Sequence, residues 1–376
     1  MLSVLRTSTS FVFTACFLAT ASIASASSGE GSNTAFRMAV AENTSASDQI
    51  AEFYRSNGFV PLWVGDTPEH AKRRAALIKA LSETERHGLP AAYDVQTLVD
   101  QMADARSVRD LGTVEAQLTR IFLSYADDIY SGALRPASID DGLVRKVQRR
   151  DANQHLEALN TQGAAYFETL VPQTAQYRAL MKQKIALENL IREGGWGPTV
   201  PVSKLEYGDT GPNVIKLRNR LVAMGYLKPT ASPEFDDALL GAVQAFQTAH
   251  GLASDGVAGQ GTITELNRPA SDRLKAVYVA LERERWLPRD RGERHILVNQ
   301  ADFSAKIVDD GLVTFETRAV IGKNVHDRRS PEFSDEMEHM VINPSWYVPR
   351  SIITKEYLPK LQSNPNAVGH IQITDR

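Results

Sequence analysis

The chain reads as an α+β protein, helical over most of its length and mainly β toward its C-terminal end. Three observations predict this. Apolar residues recur at three- and four-residue intervals through 47–200. Caps and glycines punctuate a compact unit at 203–268. From His295 the apolar period shortens to two.

The first 26 residues hold one charge, Arg6, before a mostly apolar run from Phe11 to Ala24, and Ala24-Ser25-Ala26 supplies small residues for cleavage. This is the pattern of an export leader, and the run falls short of the ~20 apolar residues of a membrane span. Cys16 as a lipid-attachment site fits poorly, because apolar residues continue past it. Removing the leader leaves 41 basic against 45 acidic residues, a balance that argues against nucleic acid as a partner. Cys16 is also the single cysteine, so the mature chain is expected to hold neither disulfide nor thiol. Residues 27–46, rich in Ser, Ala, Gly and Asn, read as a flexible lead-in.

The helical segment at 47–200 starts with Ile50, Phe53 and Tyr54 and breaks at Gly58 before Val60-Pro61-Leu62-Trp63. Thr67-Pro68 caps a second helix, with Ala75, Ile78 and Leu81 facing inward. Val114, Leu118, Ile121, Tyr125 and Ile129 mark a third, closed by Gly132, and Tyr177, Leu180, Leu187 and Ile191 a fourth, stopped at Gly194-Gly195.

In the 203–268 unit, Gly208-Asp209-Thr210-Gly211-Pro212 opens a helix with Val214, Leu217, Leu221 and Met224 on one face, ended by Gly225. Asp236 is placed to cap a second, striped by Leu239, Val243 and Phe246. Asp255-Gly256-Val257 turns the chain, and Thr262 with Glu265 has capping-box spacing for a third helix carrying Leu266. Periodicity alone describes no more than a small helical domain.

A connecting helix with Leu274, Val277, Leu281 and Trp286 fills 269–294. Beyond it, strands are expected at 296–298, 303–308 and 312–321, the last two joined at Asp310-Gly311, and a short helix at 352–361.

Taken together, Gly208-Asp209, Val214, Leu217, Leu221, Met224-Gly225-Tyr226-Leu227, Phe235-Asp236, Phe246-Gln247, His250-Gly251-Leu252, Asp255-Gly256 and Thr262 resemble the peptidoglycan-binding domain family. The resemblance implies peptidoglycan as the partner, held in a shallow groove edged by groups such as Tyr226, Gln247 and Asp255. Tyr226 serves equally well as a core or cap contact. Phe53-Tyr54, Pro61-Leu62-Trp63, Gly88-Leu89-Pro90, Ala92-Tyr93 and Tyr125-x-x-Asp128-Ile129-x-x-Gly132 look like the scaffold domain of large periplasmic L,D-transpeptidases.

Glu284-Arg285-Trp286-Leu287-Pro288, Ala319-Val320-Ile321-Gly322-Lys323 and Asn343-Pro344-x-Trp346-x-Val348-Pro349 resemble the opening of the catalytic domain of that family. The resemblance implies an exported, periplasmic, wall-associated crosslinking protein without cofactor or metal, whose cysteine thiolate takes an acyl group from one stem peptide and passes it to an amine on another. The family's His-Gly and Ser-His-Gly-Cys elements match no position here: Ile371 follows His370, and the sequence given stops at Arg376. No catalytic residue is therefore assigned, and these 376 residues alone are expected to be inactive. Two readings stay open: part of a crosslinking enzyme, or a wall-binding scaffold without chemistry. Trp346 and Tyr347 either staple the sheet edge or line an acyl-donor cleft.

Other chemistries fit less well. The histidines show no HExxH spacing, no GxSxG elbow is present, and Asp140-Asp141, Glu282 and Glu284 read as solvated faces.

Overall fold

The computed structural model describes residues 30–90, 93–325 and 328–372; the segment expected to be an export leader, with Cys16, and Ala92 of the scaffold pattern lie outside the described residues. It divides into two compact units, one through Ser334 and one from Asp335 onward. No helix among the described residues is long and apolar enough to cross a membrane.

The first unit begins with a correction. Residues expected to be a flexible lead-in form helix α1 (Glu30–Thr44). Phe36, Ala39 and Val40 recur on one side of it and are buried. Polar composition hid this short apolar stripe. Its partner is α5 (Val108–Ser131), where Gly112 allows close approach: a Cβ there would lie 2.7 Å from the Phe36 carbonyl oxygen.

Between them come α2 (Asp48–Ser56), α3 (Pro68–Ser82) and α4 (Val95–Asp104). After α5 follow α6 (Pro136–Ile139), α7 (Ala152–Gln162), α8 (Tyr166–Leu170) and α9 (Ala175–Arg192). Thr67 caps α3 as its position predicts, its side chain accepting from the His70 N–H. The inward face of α3 is Leu77, Ala80 and Leu81; Ala75 is exposed and Ile78 half-buried, so the stripe is rotated from the expected one.

The core of this helical body gathers Phe53, Tyr54, Trp63, Leu118, Phe122, Tyr125, Ile129, Leu156 and Tyr166. Burying each such side chain contributes about 1.5–3 kcal/mol. The Leu62-Trp63-Val64 turn enters this core because a buried carboxylate satisfies its backbone. Glu115 on α5 accepts from the N–H groups of Leu62 (2.6 Å), Trp63 (3.0 Å) and Val64 (3.0 Å), and from the Tyr54 hydroxyl (2.7 Å).

The next three helices are α10 (Pro212–Ala223), α11 (Asp237–Ala249) and α12 (Gln260–Leu266), around a separate core of Val214, Leu217, Leu221, Phe235, Leu239, Val243, Phe246, Ile263 and Leu266. Asp236 caps α11 by accepting from the Leu239 N–H at 2.9 Å. Thr262 does not cap α12. Gly259 holds that position, and Thr262 is buried with its hydroxyl near Gln247.

Helix α13 (Ala270–Arg285) follows after three residues and packs along α9. Tyr177, Leu187, Ala270, Val277 and Leu281 form a third core at this seam.

Strands β1 (Arg294–Asn299), β2 (Ser304–Asp309) and β3 (Leu312–Arg318) make an antiparallel sheet in that order. Asp310 (φ 49°) and Gly311 (φ 79°) both adopt the left-handed conformation that a two-residue hairpin of this twist requires. Phe303, expected to begin a strand, has φ 59° and belongs to the preceding turn; the third strand stops at Arg318 rather than 321.

The second unit carries a helical run through Arg350–Ile352, Ile353–Tyr357 and Leu358–Ser363, where a helix was expected.

Candidate functional site

The sequence places its candidate wall contacts in the three-helix module, and the structure brings them together at the C-terminal end of α11. Phe246 and Gln247 lie on the last turn of this helix, and His250 is its C-cap. The Tyr226 ring meets Phe246 edge-on at 5.4 Å and lies 6.0 Å from the His250 ring. His250 stacks on Phe246 at 4.0 Å and bonds its carbonyl through Nδ1. Tyr226 is half-buried, and burial raises the pKa of its hydroxyl. It thus combines a packing contact with a partly accessible edge.

Gln247 does not edge a groove. Its side chain is 1 % exposed. Its Nε2 lies 2.9 Å from Asp255 Oδ1, 2.9 Å from the Val257 carbonyl and 3.1 Å from Thr262 Oγ1, more acceptors than its two protons can each serve fully. Its Oε1 accepts from the Gly256 N–H at 2.9 Å. The amide therefore fixes the Asp255–Val257 turn from below. Asp255 itself is exposed, and its carboxylate also accepts from the Val257 N–H at 2.9 Å. That backbone bond first, and then Gln247, hold the Asp255 pKa below the usual carboxylate range.

Sequence reasoning missed two buried arginines that brace this module. Arg218, 1 % exposed, pairs with Asp236 (2.9 Å) and donates to Thr230 Oγ1 and the Glu234 carbonyl. Arg220 donates to the carbonyls of Leu266 (2.7 Å), Gly197 (2.8 Å) and Arg268 (3.3 Å). Leu266 and Arg268 lie at the negative end of the α12 dipole, so the cation is held by carbonyls there. Desolvation lowers the Arg220 pKa. Asn267 joins the same region by exchanging two 2.9 Å bonds with the Val200 backbone. Both arginines sit on an amphipathic helix whose pattern gave no sign of their partners, which come from 12 to 48 residues away.

The Glu284-Arg285-Trp286 phrase has a role the sequence did not indicate. Arg285 and Trp286 are buried against the helical body. Arg285 pairs with Glu282 (3.0 Å) and donates to the Tyr177 hydroxyl (3.0 Å) and the His87 carbonyl. Glu282 also accepts from the Leu134 N–H (2.8 Å) and Trp286 Nε1 (3.1 Å). Glu284 bonds Thr174 and Arg291, and Asp140 pairs with Arg329 at 2.8 Å. The expectation that Glu282 and Glu284 are solvated is therefore corrected: partners distant in sequence enclose them. His87, stacked beside Tyr177, has its pKa lowered to about 4 by burial and then by Arg285.

In the second unit, Trp346 and Tyr347 are 66 % and 88 % exposed.

Three family models match this chain. Residues 48–183 match "Scaffold domain", 210–266 match "Putative peptidoglycan binding domain", and 293–373 match "L,D-transpeptidase catalytic domain". Three segments of the chain are thus each similar to one of these domains. A "Putative L,D-transpeptidase" of Haemophilus influenzae (strain ATCC 51907 / DSM 11121 / KW20 / Rd) is 32% identical over 73 residues, 19% of this chain. The match spans 14% of that relative's length. The peptidoglycan-binding and catalytic-domain matches fall on separate elements, the three-helix module and the sheet with the residues after it.

Proposed function

We propose that this chain is an exported, periplasmic wall protein that binds peptidoglycan through residues 203–268, within machinery that crosslinks stem peptides by cysteine-dependent acyl transfer. The observation that carries this reading is the match of 210–266 to a peptidoglycan binding domain, on a module with its own core and braced ends. Tyr226 and Asp255 meet the wall, with Gln247 as the positioning residue that shapes the Asp255 turn. Trp346 and Tyr347, exposed and aromatic, line the approach of the acyl donor. The domain limits are 47–200 for the scaffold, 269–294 for the connecting helix and 295–376 for the catalytic-domain portion.

Acyl transfer of this class needs a thiolate. Cys16 is the only cysteine of these 376 residues and falls in the proposed leader, so residues 27–376 taken by themselves should bind wall without joining muropeptides. The test is to mix residues 27–376 with purified sacculi and separately with tetrapeptide muropeptides. Co-sedimentation without crosslinked product supports the proposal; failure to sediment, or formation of dimeric muropeptides, defeats it.

A further inference from the structure

We propose that the cleft between the α3–α4 connection and α13 is a second saccharide subsite, taking a neutral N-acetylated pyranose chain. It rests on the wall-binding reading for the class of ligand, but lies on different residues from the module.

The cleft encloses about 330 Å³, at the small end of the range for ligand sites. Its lining combines buried Leu81 and Leu89, half-buried Tyr93 and Tyr278, and the polar side chains of Ser82 and Glu85. Apolar surface, two phenol rings and a few hydrogen-bonding groups suit a pyranose, which is apolar on its ring faces and polar at its rim.

Both rings are held at their hydroxyl ends. Tyr278 donates to Glu188 Oε1 at 3.1 Å, and Tyr93 to Ser124 Oγ at 3.3 Å. Rings already fixed have less freedom to lose when a ligand arrives. The charge of the lining selects further. Glu85 is its one ionisable carboxyl group, while Lys184, 5.4 Å from the Tyr278 ring centroid, is 2 % exposed and committed to Glu188 at 2.6 Å. No lining cation is offered to a carboxylate, so an anionic stem peptide is disfavoured and an uncharged sugar chain fits. Tyr278 belongs to α13, which starts three residues after α12 of the wall module ends, so the seam that forms the cleft also carries the module.

The test titrates residues 27–376 with the N-acetylglucosamine tetramer. Tyr93→Leu and Tyr278→Leu should each weaken binding roughly tenfold, whereas Tyr278→Phe, which keeps the ring, should change it less than about threefold. Hydrogen exchange on the unmodified chain decides the matter even where a variant fails to fold. Tetramer should slow exchange at residues 81–95 and 274–281. Protection confined to 203–268, no protection at millimolar tetramer, or leucine variants that fold and bind as tightly as the parent would overturn the proposal. Protection at the cleft with no binding to sacculi would instead sink the module's role and leave the cleft standing.

Discussion

The helical body and the three-stranded sheet follow equally regular apolar patterns, yet end in opposite environments. Trp63, Phe122 and Ile129 are fully buried, whereas Ile296 and Phe315, register partners of Ile307, are 53 % and 55 % exposed. On the other face, Lys306 and Glu316 make a cross-strand ion pair at 3.3 Å, as polar residues on a solvated face do. The sheet has the alternation of a layer built for a partner, and among the described residues its apolar face stays exposed while that of the helical body is buried. Periodicity specifies an element; a second layer is what turns it into a core.

That contrast can be broken most directly by cutting the chain. Residues 203–268, with their own core, should melt cooperatively, while residues 293–376 should show no cooperative transition and should bind an apolar dye. A sharp calorimetric peak from the latter piece would refute the contrast. Next in size is Glu115→Ala. It leaves three backbone N–H groups without their acceptor inside the core and removes one partner of the Tyr54 hydroxyl, and should cost roughly 3 kcal/mol or more in urea unfolding. Gln247→Leu should cost about 2 kcal/mol and loosen the Asp255 turn, visible as faster hydrogen exchange at Gly256 and Val257.

Acid should weaken the helical body selectively. Burial lowers the folded pKa of both His87 and His155 to about 4, below the unfolded value near 6.5, so the unfolded chain takes up these protons first. Their contribution is present above pH 6.5 and is lost as pH falls toward 4, by about 2 kcal/mol each at pH 5. Asp128, raised to about 6 chiefly by burial, works in the opposite sense: its penalty on folding grows as pH rises from about 3.8 to 6, so acid relieves it and offsets part of the histidine loss. Melting temperature against pH, repeated on His155→Gln, should show a shallower slope in the variant. The smallest effect belongs to the sheet: Leu312, 71 % exposed, should tolerate lysine within about 0.5 kcal/mol.

Local signals were legible in the sequence. The Asp236 cap, the Asp310-Gly311 hairpin and the stripe of Val214, Leu217 and Leu221 depend on neighbours a few residues away, and each is found as read. What was hidden depends on distance along the chain. Helix α1 looked flexible because Phe36 and Val40 acquire meaning only against α5, and Glu282 looked solvated because its partner Leu134 lies 148 residues earlier. At the candidate site, Tyr226, Gln247 and Asp255 were singled out by resemblance alone. That Gln247 points into the protein was not readable, since its partners lie across a turn whose geometry the spacing does not fix.

The central claim is that wall affinity resides in the three-helix module. Binding of residues 203–268 to purified sacculi, compared with residues 47–200 at the same concentration, tests it in one experiment. Saturable binding by the module that exceeds any binding by the scaffold is the predicted result, and a module that stays in the supernatant would contradict it.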